Sequence, residues 1–428
     1  MNVETALQVG RAAGYYFQQD DRPHTILIGK DTRKSGYMIE NALTAGLCSM
    51  GVNVEVVGPL PTPGVSYIMR SLRADAAIMI SASHNPYEDN GIKFFGPDGF
   101  KLPDDVEDEI EHLVKSDAIE NMRPTGDKIG WVKRIDDAQG RYIEYAKSTF
   151  PKGMRLDGLK IVVDSAHGAE YKVGPNTIRE LGADVISIGD APNGTNINDA
   201  CGSMEPLVMQ QHVIHEKADL GIAFDGDGDR VVFCDETGAI IDGNAVISIL
   251  GVDLLERELL PTKTIVTTIM ANGGLAKAIE PHGGKVLHTR VGDRYVVEAM
   301  REGGMLLGGE SSGHVIMLEH NTTGDALITA LQMLAVMIRK KKTLSQLAAV
   351  YTAMPEAHTS IPLNGASKPP QESLDAITNR IEAELDGRGR VVIRPSGTEP
   401  IVRIMVQHDS QEEAERLVKQ LSEEVRAL

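Results

Sequence analysis

Residues 76–86 read Ala76-Ala77-Ile78-Met79-Ile80-Ser81-Ala82-Ser83-His84-Asn85-Pro86. A short apolar run that ends in small and polar residues and then a proline reads as a buried strand opening into a tight loop. In open α/β sheets ligands bind at the C-terminal ends of strands, where a serine of this loop would stand. A histidine and an amide adjoin it, and Lys93 follows in Asn90-Gly91-Ile92-Lys93. Such a grouping suits a serine that carries a group covalently. For Ser-His alone, an Asn-Pro turn with a surface serine is the plainer reading. Working outward, strand-like Thr25–Gly29, Leu159–Asp164, Asp184–Ile188, Thr264–Thr268 and Lys285–Leu287 alternate with helical runs. That alternation argues for parallel α/β layers, each opening with a strand, a small-residue loop and a helix.

A second loop, Asp225-Gly226-Asp227-Gly228-Asp229-Arg230, follows strand-like Leu220-Gly221-Ile222-Ala223-Phe224. Glycines let such a loop curl tightly, so its three carboxylates can converge. Convergent carboxylates repel unless a cation lies between them, and a few hard oxygen ligands with open positions suit Mg²⁺ shared with a phosphate. A calcium loop or a solvated acidic turn is the alternative. An EF-hand would use Glu236 at its twelfth position, but Val231-Val232-Phe233 reads as a strand where that loop should continue.

Two further loops add binding chemistry. Arg394-Pro395-Ser396-Gly397-Thr398-Glu399-Pro400 lies between strand-like Val391–Ile393 and Ile401–Val406. Its hydroxyls and exposed backbone, with Arg394 and Arg403, can surround a phosphate with charge-assisted hydrogen bonds. Gly309-Glu310-Ser311-Ser312-Gly313-His314 offers a carboxylate, hydroxyls and an imidazole to a polyhydroxylated ligand. Ser-Gly-Thr is also ordinary turn chemistry.

In this order and spacing the four loops resemble the α-D-phosphohexomutase superfamily over nearly the whole chain. Gly29–Gly36, Gly58–Pro63 and Arg290–Val296 are similar to it as well. The Ile80–Pro86 form of the serine loop and Gly397 point to the glucosamine-phosphate branch rather than to the phosphoglucomutases and phosphomannomutases, which remain alternatives. The resemblance implies three topologically similar mixed α/β domains plus a C-terminal α+β phosphate-binding domain around a central cleft. The expected spans are 1–133, 134–238, 239–350 and 351–428.

It also implies Ser83 as a phosphoserine. Glucosamine 6-phosphate and glucosamine 1-phosphate then interconvert through glucosamine 1,6-bisphosphate. One Mg²⁺ per chain would be held by Asp225, Asp227, Asp229 and Ser83. Arg394, Ser396, Gly397, Thr398 and Arg403 would hold the idle phosphate, and Glu310 and Ser312 the sugar hydroxyls. Lys93 and His314 are candidates for proton transfer, with His84, Asn85, Arg230 and Arg294 in support; either arginine could instead be a structural ion-pair residue. The implication leaves open a homodimer, and charging of Ser83 by an activating kinase or by autophosphorylation.

Two departures are visible. The family opens on a Gly-Thr-Asp-Gly-Ile-Arg-Gly stretch whose arginine reaches the site, whereas Met1-Asn2-Val3-Glu4-Thr5-Ala6 resembles the helix after it. The first domain is therefore expected to lack that loop, which leaves a catalytically weak phosphosugar-binding relative as an alternative. Ser311 stands where Gln or Asn is more usual. A phosphatase with an aspartyl nucleophile is a further alternative, although it would give the Ser-His loop no role.

The bulk numbers agree with an enzyme of small molecules. The 428 residues carry a net charge of −18 and 42% hydrophobic residues. That charge opposes nucleic acid or an anionic membrane as partner, so Lys93, Arg230, Arg294, Arg394 and Arg403 must concentrate positive charge locally. Cys48, Cys201 and Cys234 are scattered and give no disulfide or metal spacing. No signal-peptide pattern opens the chain and no run approaches a membrane span, so a cytoplasmic protein is expected.

Overall fold

The computed structural model describes residues 1–18, 20–116, 118–363, 368–385, 388–395, 400–426 and 428. Four sheets follow one another along the chain. The first runs in the order Ile92–Phe95, Ala76–Ile80, Thr25–Lys30, Asn53–Pro59, Val132–Arg134. The second runs Ile240–Ile241, Val231–Asp235, Leu220–Phe224, Lys160–Asp164, Asp184–Ile188. The third is Lys285–Thr289, Thr264–Thr268, Leu307–Gly309, Val315–Met317. The last is an antiparallel set, Glu356–Pro362, Ile401–His408, Gly389–Pro395.

The expected parallel layering holds for the centre of the first three sheets and stops at one edge. Ala76–Ile80 pairs antiparallel with Ile92–Phe95, Leu220–Phe224 with Val231–Asp235, and Leu307–Gly309 with Val315–Met317. In each unit the last parallel strand enters a loop and returns as an antiparallel partner. Those three loops contain Ser83, the three aspartates and Glu310. The shared topology thus puts three chemically different loops in one topological position.

Burial explains the strand patterns. Ala76–Ile80 and Leu220–Phe224 are buried at every residue, as expected where helices cover both faces of a sheet. Glu356–Pro362 is mostly exposed or half-buried along its length. The last sheet has its own core, in which Leu374, Ile404 and Leu421 meet. Its final helix runs Gln411–Arg426 and buries Ala414, Leu417, Val418, Leu421 and Val425, the apolar face legible in the sequence. Ser410 Oγ accepts from Glu413 N at 3.4 Å, as an N-cap would. Lys368–Pro370 have no regular structure, and Ala366 and Ser367 lie outside the described residues. Among the described residues, no helix is long and apolar enough to cross a membrane.

Candidate active site

Ser83 leaves the strand Ala76–Ile80 in the left-handed region, at φ 51°. A non-glycine residue is held there only by its surroundings. Its Oγ donates to Asp225 Oδ2 at 2.7 Å, across 142 residues of sequence. Ser81 points the other way: its Oγ donates to Asp31 Oδ2 at 2.6 Å and accepts from Ser83 N at 2.9 Å. The two serines of one short segment therefore have separate tasks, and Ser83 is the one facing the acidic loop.

Arg33, fully buried, organises the serine loop and was not singled out from the sequence. It binds Asp31 Oδ2 at 2.8 Å and donates to the carbonyls of Ser83 (3.0 Å), Asn85 (2.9 Å), Asp89 (3.2 Å) and Pro86. Its carbonyl partners lie 50 to 56 residues downstream, so no local spacing announces the contact. Asn85 contributes through its carbonyl, while its side chain donates to Asp89 at 3.0 Å.

Asp225, Asp227 and Asp229 converge, with ligand atoms within 4.8 Å of one another, and all three are buried. Gly228, at φ 71°, supplies the left-handed turn between them. Asp225 Oδ1 accepts from the backbone N–H groups of Asp229 and Arg230, each at 3.1 Å. Burial, then the neighbouring Asp229 and Asp227, pushes the Asp225 carboxyl well above its ordinary value. Asp227 Oδ1 and Asp229 Oδ1 are buried and have no hydrogen-bond partner among the described residues. Bare buried carboxylate oxygens are costly without a positive partner. These oxygens make no hydrogen bond, Asp229 Oδ1 having only the longer ion-pair contacts of His314 Nδ1 at 3.6 Å and Arg230 Nε at 3.9 Å, and beside a serine hydroxyl they fit a divalent cation of the Mg²⁺ type. Thr62, at the start of the helix Thr62–Leu72, donates through its hydroxyl to Asp227 Oδ2 and through its N–H to Asp227 O at 2.8 Å. It too was missed in the sequence.

Lys93 reaches this loop from the antiparallel strand Ile92–Phe95, with Nζ 2.6 Å from Asp227 Oδ2 and 3.3 Å from Asp229 Oδ2. Burial pulls its pKa down, but Asp227 and Asp229 more than reverse this and hold it above the ordinary lysine value. Lys93 is therefore held as a cation. His314 lies between Asp229 (Nδ1, 3.6 Å) and Asp293 (Nε2, 3.5 Å). There burial pulls its pKa down and the carboxylates outweigh it, so the net direction is up; Nε2 accepts from Gly324 N at 3.3 Å. Asp229 is the counterpart: burial raises its pKa, yet Lys93, His314 and Arg230 hold it well below the carboxylate range.

Arg230 donates through Nη1 to His84 Nδ1 at 2.6 Å. Arginine only donates, so Nδ1 is the accepting nitrogen of a neutral ring; burial and Arg230 both push the His84 pKa down. Glu310 and Ser312 occupy the loop after Leu307–Gly309, with Ser312 Oγ 3.5 Å from Glu310 Oε2. Arg294 is placed elsewhere. It pairs with Asp104 and with Glu107 Oε2 at 2.9 Å on the helix Asp104–Lys115. These ion pairs fit the structural reading of Arg294, which also lines a cavity with Lys101 and Asp293.

Arg394 and Arg403 line one cavity of about 370 Å³ together with His358, Thr359 and Ser360. Burial and the neighbouring Arg403 lower the Arg394 pKa. Ser396, Gly397 and Thr398 lie outside the described residues.

Comparison with known proteins points one way. Residues 1–120, 140–238 and 242–354 match the families described as Phosphoglucomutase/phosphomannomutase, alpha/beta/alpha domains I, II and III, and residues 333–424 match its C-terminal domain. A protein of Citrifermentans bemidjiense named phosphoglucosamine mutase is 54% identical over 408 residues, covering 95% of this chain and 90% of its own. One of Geotalea uraniireducens with the same name is 51% identical over 431 residues, covering 99% and 93%. Among solved structures, a phosphoglucomutase/phosphomannomutase family protein of Burkholderia thailandensis shares the fold at TM-score 0.82 and 24% identity, covering 98% of this chain and 92% of that one. Aspergillus fumigatus N-acetylphosphoglucosamine mutase in complex with GlcNAc-6P and magnesium shares it at TM-score 0.63 and 20% identity, covering 90% and 93%.

Proposed function

Since the chain belongs to the phosphoglucomutase/phosphomannomutase family, we propose that it interconverts glucosamine 6-phosphate and glucosamine 1-phosphate, the isomerisation for which its curated relatives are named. The observation that carries this reading is the 2.7 Å contact of Ser83 Oγ with Asp225.

Phosphate monoesters resist water so strongly that enzymic accelerations of their hydrolysis reach ~10²¹-fold. Moving the group between two hydroxyls therefore calls for a carrier, and Ser83 is that carrier as a phosphoserine. The free hydroxyl of the hexosamine monophosphate attacks phosphorus, the P–Oγ bond breaks, and glucosamine 1,6-bisphosphate forms. Return transfer of the other phosphoryl group regenerates phosphoserine and leaves the isomerised monophosphate. Asp225, Asp227 and Asp229 are the residues that would hold Mg²⁺, which when bound neutralises charge on the transferring group.

Lys93, held as a cation beside Asp227 and Asp229, can deliver a proton to Ser83 Oγ as the P–Oγ bond breaks, while His314 takes the proton of the attacking sugar hydroxyl; the return transfer reverses both. Arg394 and Arg403, with Ser396, Gly397 and Thr398, hold the idle phosphate; Glu310 and Ser312 grip sugar hydroxyls. Intact-protein mass spectrometry after incubation with glucosamine 1,6-bisphosphate tests the relay. The protein should gain one phosphate, and Ser83→Ala should gain none and lose mutase activity. A phosphate that persists in Ser83→Ala overturns the mechanism.

A further inference from the structure

We propose that Asn198 is a positioning residue for Ser83, and that with Arg33 it holds the serine loop over the acidic loop from the opposite side. This rests on the phosphoserine reading above. Asn198 Nδ2 donates to Ser83 O at 2.9 Å and to Asn85 O at 3.0 Å. Those are the two carbonyls that Arg33 Nη2 already contacts at 3.0 and 2.9 Å. Each carbonyl has two acceptor positions, and here both are filled. One donor follows the strand Thr25–Lys30 of the first sheet; the other belongs to the second unit, which also carries the aspartates.

The amide sits in a tight space. A Cβ on Gly226 would come within 2.6 Å of Ser83 O and 2.7 Å of Asn198 Nδ2, so only a glycine lets the acidic loop pass beneath. Asn198 is itself left-handed, at φ 58°, and its N–H donates to the carbonyl of Ala166 at 2.9 Å, a residue also left-handed at φ 52°. Uncommon backbone at both ends of one contact marks a geometry imposed by the whole site. The clamp fixes the separation of the two loops, and thereby the approach of Ser83 Oγ to Asp225, while among the described residues no hydrogen bond joins Asn198 to the sugar loop or to the last sheet.

Two variants of the full chain test this. Asn198→Asp keeps the shape and the backbone but cannot donate. Asn198→Gly removes the amide and accepts the left-handed backbone without strain. Wild type and variants are charged with glucosamine 1,6-bisphosphate in Mg²⁺, and Ser83 phosphorylation, kcat, KM for glucosamine 6-phosphate and Tm are measured.

Both variants should lose roughly 10- to 100-fold in kcat and in the rate of Ser83 charging, the scale of a misplaced reacting group. KM should change by less than about threefold, because uniform binding is untouched, and the Tm of Asn198→Gly should stay near wild type. The positioning role is overturned if both variants charge and turn over like wild type, or if kcat, KM and Tm all deteriorate together. A wild-type protein that takes no phosphate on Ser83 overturns the underlying relay instead, and that result is read before any variant is compared.

Discussion

Arg394 and Arg403 are direct cross-strand partners in the antiparallel pairing of Gly389–Pro395 with Ile401–His408. Like charges directly opposite on adjacent strands disfavour each other, and an anion seated beside both guanidinium groups offsets that repulsion. Inorganic phosphate or sulfate should therefore raise the Tm of the wild type. Arg403→Ala should lose that increment and raise KM for the phosphosugar by roughly 10- to 100-fold, as expected for a charged hydrogen bond. An anion response that survives in Arg403→Ala would remove the pair from the binding site.

Asp227→Asn separates metal binding from folding. Thr62 can still donate to the amide oxygen, but the charge facing Lys93 is gone. Turnover should drop at least about 100-fold at fixed Mg²⁺, the scale of losing one preorganised electrostatic group. Calorimetry should find Mg²⁺ binding weakened while the metal-free Tm holds. Early melting with intact Mg²⁺ binding would make the aspartates structural.

Asp325 gives a pH signature. It caps the helix Ala326–Lys340 and accepts from Tyr142 Oη at 2.8 Å and Asn321 Nδ2 at 2.9 Å. Burial nevertheless pushes its pKa from 3.8 to about 6. A raised pKa means that the folded state binds the proton more tightly, so this contribution is full below pH 3.8 and is lost as pH rises through about 6. Asn cannot titrate. Between pH 4 and pH 7 the unfolding free energy of Asp325→Asn should therefore gain on wild type by roughly 2 kcal/mol, at about 1.4 kcal/mol per pKa unit. Parallel pH curves for the two proteins would assign Asp325 an ordinary pKa.

Arg294→Ala separates the ion-pair reading of this residue from a catalytic one. Its partners Asp104 and Glu107 keep 66% and 40% of their side-chain surface exposed. Partly exposed pairs contribute about 1 kcal/mol or less, so urea unfolding should register a small loss and kcat should stay within about threefold of wild type. A hundredfold loss of kcat would return Arg294 to the catalytic group.

What the sequence disclosed was contiguous chemistry. Ser83, the Asp225–Asp229 loop and the helical face of Gln411–Arg426 each lie in one short segment, so spacing alone carries them. Arg33, Thr62 and Asn198 escaped because their partners are 50 to 165 residues away and their type is ordinary where they stand. Lys93 and His314 were legible as residues but not in their electrostatic setting, which carboxylates brought from other strands and loops create. The antiparallel return of Ile92–Phe95, Val231–Asp235 and Val315–Met317 was hidden for a similar reason: strand direction is decided by what lies beside a strand, not by its composition.

The repetition of one loop position across three sheets sets a limit on how the cleft can treat its ligand. Three similar units have no twofold axis among them, yet the proposed exchange needs a hexosamine to present first one end and then the other. No rotation of the architecture maps one pose onto its reverse. The equivalence of the two poses must then reside in the ligand and in contacts indifferent to direction. A molecule phosphorylated at both ends supplies the first, and guanidinium groups that read any phosphate alike supply the second. On this view the bisphosphate contributes the symmetry that the polypeptide lacks.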